Sequence, residues 1–167
     1  MIYTVIATGP SLTKEDVEYV RGRSHVIAVS NSYNLAPWAD ALVSCDAAWW
    51  NNNPDAYEFP GLKFCKNNMG SARSLPLHLG LPAACNSGLA AMYLAKDMGA
   101  KKILLLGFDM HGSHYFGKHP EPLKNTNHKT FQIHINQFKR WSSPDVINCT
   151  PGSSLTKFPY MPLRDVI

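Results

Sequence analysis

Ile103-Leu104-Leu105-Leu106-Gly107-Phe108-Asp109 is the stretch that decides the fold. Four aliphatic side chains in a row leave a strand with no polar face, so both of its faces must be covered. That pattern marks a central parallel strand packed by helices above and below. Gly107 ends the run, and Asp109 puts a polar group just past its C-terminal end. Upstream, Asn86 to Lys96 carries a helical period, with Leu89, Met92, Tyr93 and Lys96 on one face and alanines that favour close packing. Gly99 suits the C-cap, and Lys96, Lys101 and Lys102 suit the negative end of that helix.

Similar apolar runs lie at Ile2 to Ala7, His25 to Val29 and Ala41 to Cys45, with weaker ones at Leu62 to Cys65 and Val146 to Cys149. After the first run, Thr13 is placed to cap a short helix, with Asp16 three residues on and Val17 and Val20 as its buried side. Asn125 to Trp141 reads as a further helix, with Phe131, Ile135 and Phe138 in step. Strands alternating with helices predict a single α/β domain over residues 1–167. It is Rossmann-like, a doubly wound, mostly parallel sheet with helices on both faces. Residues 151–167 read as an irregular tail. Two segments, about Asn51 to Leu81 and His111 to Asn125, exceed the roughly 4–6 residues of an ordinary connection and read as site-bearing loops.

The chain has 167 residues, 45% hydrophobic and 17% charged, a globular rather than a disordered composition. Sixteen Lys and Arg against twelve Asp and Glu give a net charge of +4. The excess is unclustered, so a phosphate-bearing small molecule fits it as well as a nucleic acid does. With Lys139-Arg140 the nearest thing to a basic run, a sequence-specific DNA binder is not expected. No apolar run approaches the roughly 20 residues of a membrane span. Met1 to Ala7 lacks a basic leader and reads as a strand rather than a signal peptide. Cys45, Cys65, Cys85 and Cys149 stand far apart with no C-x-x-C pair, which makes a reducing cytoplasm the default.

Ligands of open parallel sheets gather at the C-terminal strand ends. Gly9, Pro10 and Ser11 follow the first strand there, Asn31 the second, Asp46 the third and Asp109 the strongest. Each alone could be a plain turn or cap residue; together they could converge on one crevice. Asn86-Ser87-Gly88 opens the Ala-rich helix as an N-cap, and Gly88 costs helix stability unless something approaches closely. His111, His114 and His119 share one loop. They read as acid–base or phosphate contacts, as a metal site with Asp109, or as an ordinary polar loop; the spacing matches no standard zinc pattern. Trp49-Trp50 is the better candidate for stacking a base, while Trp38 and Phe59 read as packing. The sequence holds no G-x-G-x-x-G, Walker A or G-x-S-x-G motif.

The order Ala7-Thr8-Gly9-Pro10-Ser11-Leu12, Asn31, Asn86-Ser87-Gly88 and Gly107-Phe108-Asp109 resembles the bacterial sialyltransferases of the Campylobacter type. It is similar also to Rossmann domains of motility accessory factors, of a hydroxymethylpterin pyrophosphokinase-like family and of small phage and prophage proteins. The resemblance runs from Met1 to about Trp141. It implies that Gly9, Ser11, Asn31, Ser87 and Gly88 hold the cytidine monophosphate part of a donor, with Pro10, Asp46, Asn86 and Asp109 beside them. Asp46 and Thr8 stand where the family has Asn. The family's general base is a His in a Ser-His-Tyr-x-Gly-His stretch. Ser113-His114-Tyr115-Phe116-Gly117-Lys118-His119 has one extra residue, which makes His119 the nearest match and His114 the second candidate.

The implied function is binding of a nucleotide or nucleotide-sugar, extending to metal-independent glycosyl transfer with a His general base. No metal or cofactor is called for. The alternatives are a phage-type protein that sequesters a nucleotide signal without turnover, in the host cytoplasm, or a structural phage component. A homo-oligomer is compatible with all three.

Overall fold

The computed structural model describes residues 1–167. Its strands are β1 (Ile2–Ile6), β2 (His25–Val29), β3 (Ala41–Val43), β4 (Leu62–Cys65), β5 (Arg73–Ser74), β6 (Lys102–Leu106) and β7 (Asp145–Asn148). Its helices are α1 (Lys14–Val20), α2 (Ala47–Asn52), α3 (Ser87–Asp97) and α4 (His128–Phe138). All seven strands form one sheet, in the order β5-β4-β3-β2-β1-β6-β7, and every pairing is parallel. The chain starts mid-sheet, winds outward to β5, then crosses back through α3 to the far side of β1. The winding direction reverses between β1 and β6, which opens a crevice at their C-terminal ends.

The doubly apolar strands are buried on both faces, as their sequences require. Tyr3, Val5, Ile103 and Leu105 pack with α3 and with Phe138 of α4. Ile6, Leu42, Leu104 and Leu106 pack on the other face with Val17 and Val20 of α1 and the tryptophans of α2. Burying each such side chain stabilises the fold by roughly 1.5–3 kcal/mol. The helix starts follow the sequence: Thr13 Oγ1 accepts from Asp16 N (3.1 Å), Asn86 Oδ1 from Leu89 N (2.9 Å) and Asn127 Oδ1 from Thr130 N (2.9 Å).

Several expectations change in detail. The α3 helix is buried nearly all round, from Gly88 through Met92 and again at Leu94 and Ala95, because its alanines let it sit deep on the sheet. Conversely, α4 is shorter than the apolar period suggested and buries only Phe138. The segment 51–81 is no open loop: it contains the end of α2, two 3-10 turns, β4 and β5. Segment 111–125 does lack helix and strand. Trp50 is fully buried in α2, its Nε1 donating to Ser44 O at 2.9 Å, which removes it as a stacking platform. Trp49 is also buried, and its Nε1 donates to Asn31 Oδ1 at 2.7 Å.

The tail has little regular structure yet is firmly attached. Leu155, Phe158 and Leu163 are buried, Arg164 pairs with Glu15 (2.6 Å), and Tyr19 OH donates to Ile167 O (2.8 Å). No helix is long and apolar enough to cross a membrane.

Candidate functional site

A cavity of about 500 Å³ opens where the winding reverses. Its floor comes from the C-terminal ends of four strands: Ala7 to Gly9, Val29-Ser30, Ser44 to Asp46, and Gly107-Phe108. One side is the start of α3, Asn86 to Gly88, with Lys66 beside it after β4. The opposite wall comes from the loop carrying Met110, His111, His114, His119 and Lys124, and from Thr130, Phe131 and His134 of α4. Ser30 (φ 48°) and Met110 (φ 58°) are the only non-glycine residues with left-handed backbone, and both line this cavity. Such conformations cost on the order of 1 kcal/mol and collect at functional sites.

Among the residues singled out from sequence, Gly9, Asp46, Asn86, Ser87, Gly88, His114 and His119 line the cavity, whereas Pro10, Ser11, Asn31 and Asp109 do not. Ser11 and Asp109 are turned to each other: the Asp109 carboxylate accepts from Ser11 N (3.2 Å) and Ser11 Oγ (2.9 Å). Burial raises the Asp109 pKa, and the Ser11 bonds and His111 act against that rise. Together the two residues clamp the turn after β1 to the end of β6. Gly9 sits inside this clamp, its N–H donating to Gly107 O at 2.8 Å. Asn31 is held by Trp49 through its side chain, and its main-chain oxygen accepts from Tyr115 OH at 2.7 Å.

The α3 start combines structural and open groups. Ser87 Oγ accepts from Cys45 N (2.9 Å), and Gln137 Oε1 accepts from Asn86 Nδ2 (2.7 Å), tying α4 to the turn. A Cβ on Gly88 would lie 2.8 Å from Phe108 Cε1, so the close approach that requires this glycine is made by a core ring. Gly88→Ala is therefore expected to destabilise by about 1–2 kcal/mol, overpacking outweighing the better helix propensity. Urea unfolding measures this, and a stabilised variant would contradict it. The main-chain N–H groups of Ser87 and Gly88 have no acceptor in the protein.

The histidines differ in character. His114 Nδ1 and Thr8 Oγ1 are hydrogen-bonded at 2.8 Å, and the ring stacks on Phe116 with centroids 4.8 Å apart. Burial, aided by His119, lowers its pKa to about 4 against the pull of Thr8, so it is neutral at pH 7. His119 makes an edge contact with His114 (4.6 Å), and its ring has no hydrogen bond from the protein. Burial lowers its pKa too, with Asp46 pulling it back up. His111 Nε2 is bonded to Gly152 O at 3.0 Å on the outer rim. No three His, Cys, Asp or Glu side chains group into a set that could hold a metal ion. Burial pushes the Cys45 thiol up to about 11 and the Cys85 thiol up to about 12, which keeps both protonated near neutrality.

The His114 shift predicts a pH dependence of stability. Its folded pKa lies below its ordinary value, so the unfolded chain takes up the proton first. The stabilisation is complete above about pH 6.5 and is lost as pH falls towards 4. Urea unfolding at pH 7.5, 5.5 and 4.5 checks this. His114→Gln is expected to have a shallower slope than the wild type, and an equal slope would refute the assignment.

Sequence reasoning missed Ser30, Ser44, Lys66, Lys124 and His134 as lining residues. Lys66 follows Cys65 at a strand end, so the rule that picked Asp46 could have found it. Its Nζ donates to Ala83 O at the turn before α3. His134 has a ring without a protein hydrogen bond and a pKa lowered by burial. Lys66 and Lys124 thus face one carboxylate, Asp46, on the cavity lining, which suits an anionic ligand. No protein-family model, curated protein or solved structure matches the chain.

Proposed function

We propose that the cavity binds a nucleotide or nucleotide-sugar and that the protein transfers the sugar to an acceptor hydroxyl without a metal, as its sialyltransferase-like motifs imply. The observation that carries this reading is the cavity at the winding reversal, lined by Lys66, Lys124 and the α3 start, where the N–H groups of Ser87 and Gly88 are unpaired. Helix starts of this kind favour phosphate, and the volume falls within the roughly 300–1,000 Å³ of small-molecule sites.

On this reading the donor phosphate lies against the α3 start, with Lys66 nearby. His119 is neutral and unpartnered, as a general base must be, and it takes the proton of the acceptor hydroxyl. The hydroxyl oxygen then bonds to the anomeric carbon as the bond from that carbon to the phosphate oxygen breaks. The electron pair leaves with the nucleotide, whose charge is met by Lys66 and the helix N–H groups. The proton on His119 returns to water. His114, fixed by Thr8 and Phe116, holds the adjoining ring in place.

The test is a thermal-shift screen with nucleoside mono-, di- and triphosphates and nucleotide-sugars, followed by calorimetry. A ligand at about 100 times its Kd should stabilise the fold by roughly 2.7 kcal/mol. Lys66→Met should weaken binding. If no nucleotide stabilises the protein, the reading fails. Binding without hydrolysis or acceptor-dependent transfer would mean that the protein sequesters its ligand.

A further inference from the structure

Ser30 and Ser44 sit side by side on the cavity floor, after β2 and at the end of β3. Ser30 Oγ donates to Ser44 Oγ at 3.1 Å, and neither hydroxyl has another partner. Two hydroxyls carry two protons, and the pair uses only one. The other belongs to the fully buried Ser44 and has no acceptor in the protein. Turning both hydroxyls so that Ser44 donates to Ser30 satisfies it and presents the proton of the half-buried Ser30 to the cavity. A buried donor is normally satisfied, so it is the Ser30 proton that calls for an acceptor atom on a ligand.

The pair is held rigidly. Ser44 N donates to Phe64 O (3.1 Å), and its carbonyl accepts from Trp50 Nε1 (2.9 Å). Ser32 Oγ accepts from Val29 N (2.8 Å) and donates to Ile6 O (2.7 Å), which fixes the turn on which Ser30 adopts φ 48°. A serine kept in a conformation that suits glycine points to use of its hydroxyl. No cation bonds to the pair, and Val29 and Trp49 lie beside it on the cavity surface. A phosphate would lose hydration there without compensation, whereas an uncharged ring nitrogen or carbonyl oxygen fits.

We infer that Ser30, with Ser44 donating to it from behind, reads the base of the bound nucleotide by donating a hydrogen bond to an acceptor atom on its edge. This rests on the nucleotide reading above and adds to it the residues that set base preference. The test is calorimetric titration of CMP, UMP, AMP and GMP into the wild type, Ser30→Gly and Ser44→Ala.

Ser30→Gly is the decisive variant because it removes the hydroxyl and accommodates the positive φ, so its Tm is expected to equal or exceed that of the wild type. It should bind the preferred nucleotide roughly 3- to 10-fold more weakly and narrow the gap to the others, since the phosphate contacts remain. A wild type that binds all four alike, or a Ser30→Gly variant that keeps the full preference, would overturn the inference. Equal weakening of all four would also overturn it, as that is the mark of a merely structural pair. Failure of every nucleotide to bind would sink the nucleotide reading and this inference with it, a result distinct from the other three.

Discussion

Gly9→Ala is expected to lose about 3–5 kcal/mol of stability, a large share of the roughly 5–15 kcal/mol that holds a domain of this kind. The added methyl would lie 1.9 Å from Asp109 Oδ2 and 2.5 Å from Gly107 O. Neither neighbour can yield cheaply. Gly107 O accepts from Gly9 N itself, so moving it separates the ends of the two central strands. Moving Asp109 breaks both bonds from Ser11 and leaves a buried carboxylate unpaired. Urea unfolding of Gly9→Ala, Asp109→Ala and the double variant tests this directly. Because the two sites clash, the double variant should lose less than the two single losses combined. Strict additivity would show that Asp109 is not what the methyl meets.

If the protein is the transferase proposed above, His119→Gln is expected to lower acceptor-dependent transfer by about 10²- to 10⁴-fold, the usual contribution of a positioned general base, while nucleotide affinity stays close to that of the wild type. Burial lowers the pKa of His119, so the neutral, proton-accepting form already prevails at pH 7. The wild-type rate should be level above about pH 6.5 and fall on acidification below it. The residual rate of His119→Gln should lack that acid limb. His114→Gln should keep the limb and lose less, because that ring is bonded to Thr8 and packed on Phe116. A full rate in His119→Gln would remove it from the chemistry.

What the sequence disclosed follows from how local each signal is. Ile103 to Leu106 announces a strand buried on both faces without reference to any partner, and Thr13 and Asn86 announce helix starts through residues three positions away. Elements with little periodicity went unseen: β5 has two residues, and the six residues of α2 hide behind a Trp-Trp pair that reads equally well as a stacking surface. The rule that ligands gather at strand ends found the crevice but not which side chains face it. Ser11 and Asp109 stand at strand ends yet bond to each other across 98 residues, a pairing no local pattern encodes. After β2 it is Ser30, not Asn31, that lines the cavity. One step along the chain changes the direction of the side chain, and Asn31 turns to Trp49.

The pairing of β1 with β6 also shapes how the molecule must come into being. Ile2 aligns with Lys102 and Ile6 with Leu106, partners separated by 100 positions. During synthesis, β2 to β5 can assemble on one flank of the first strand while its other flank waits for most of the chain to emerge. Until then Ile2 to Ile6 presents an unpaired, apolar edge, the kind of template on which nascent chains associate wrongly. Contacts of such long range also slow folding. The crevice gains its Gly107-Phe108 side only when that late strand docks, so ligand binding would report completion of the sheet as well as occupancy.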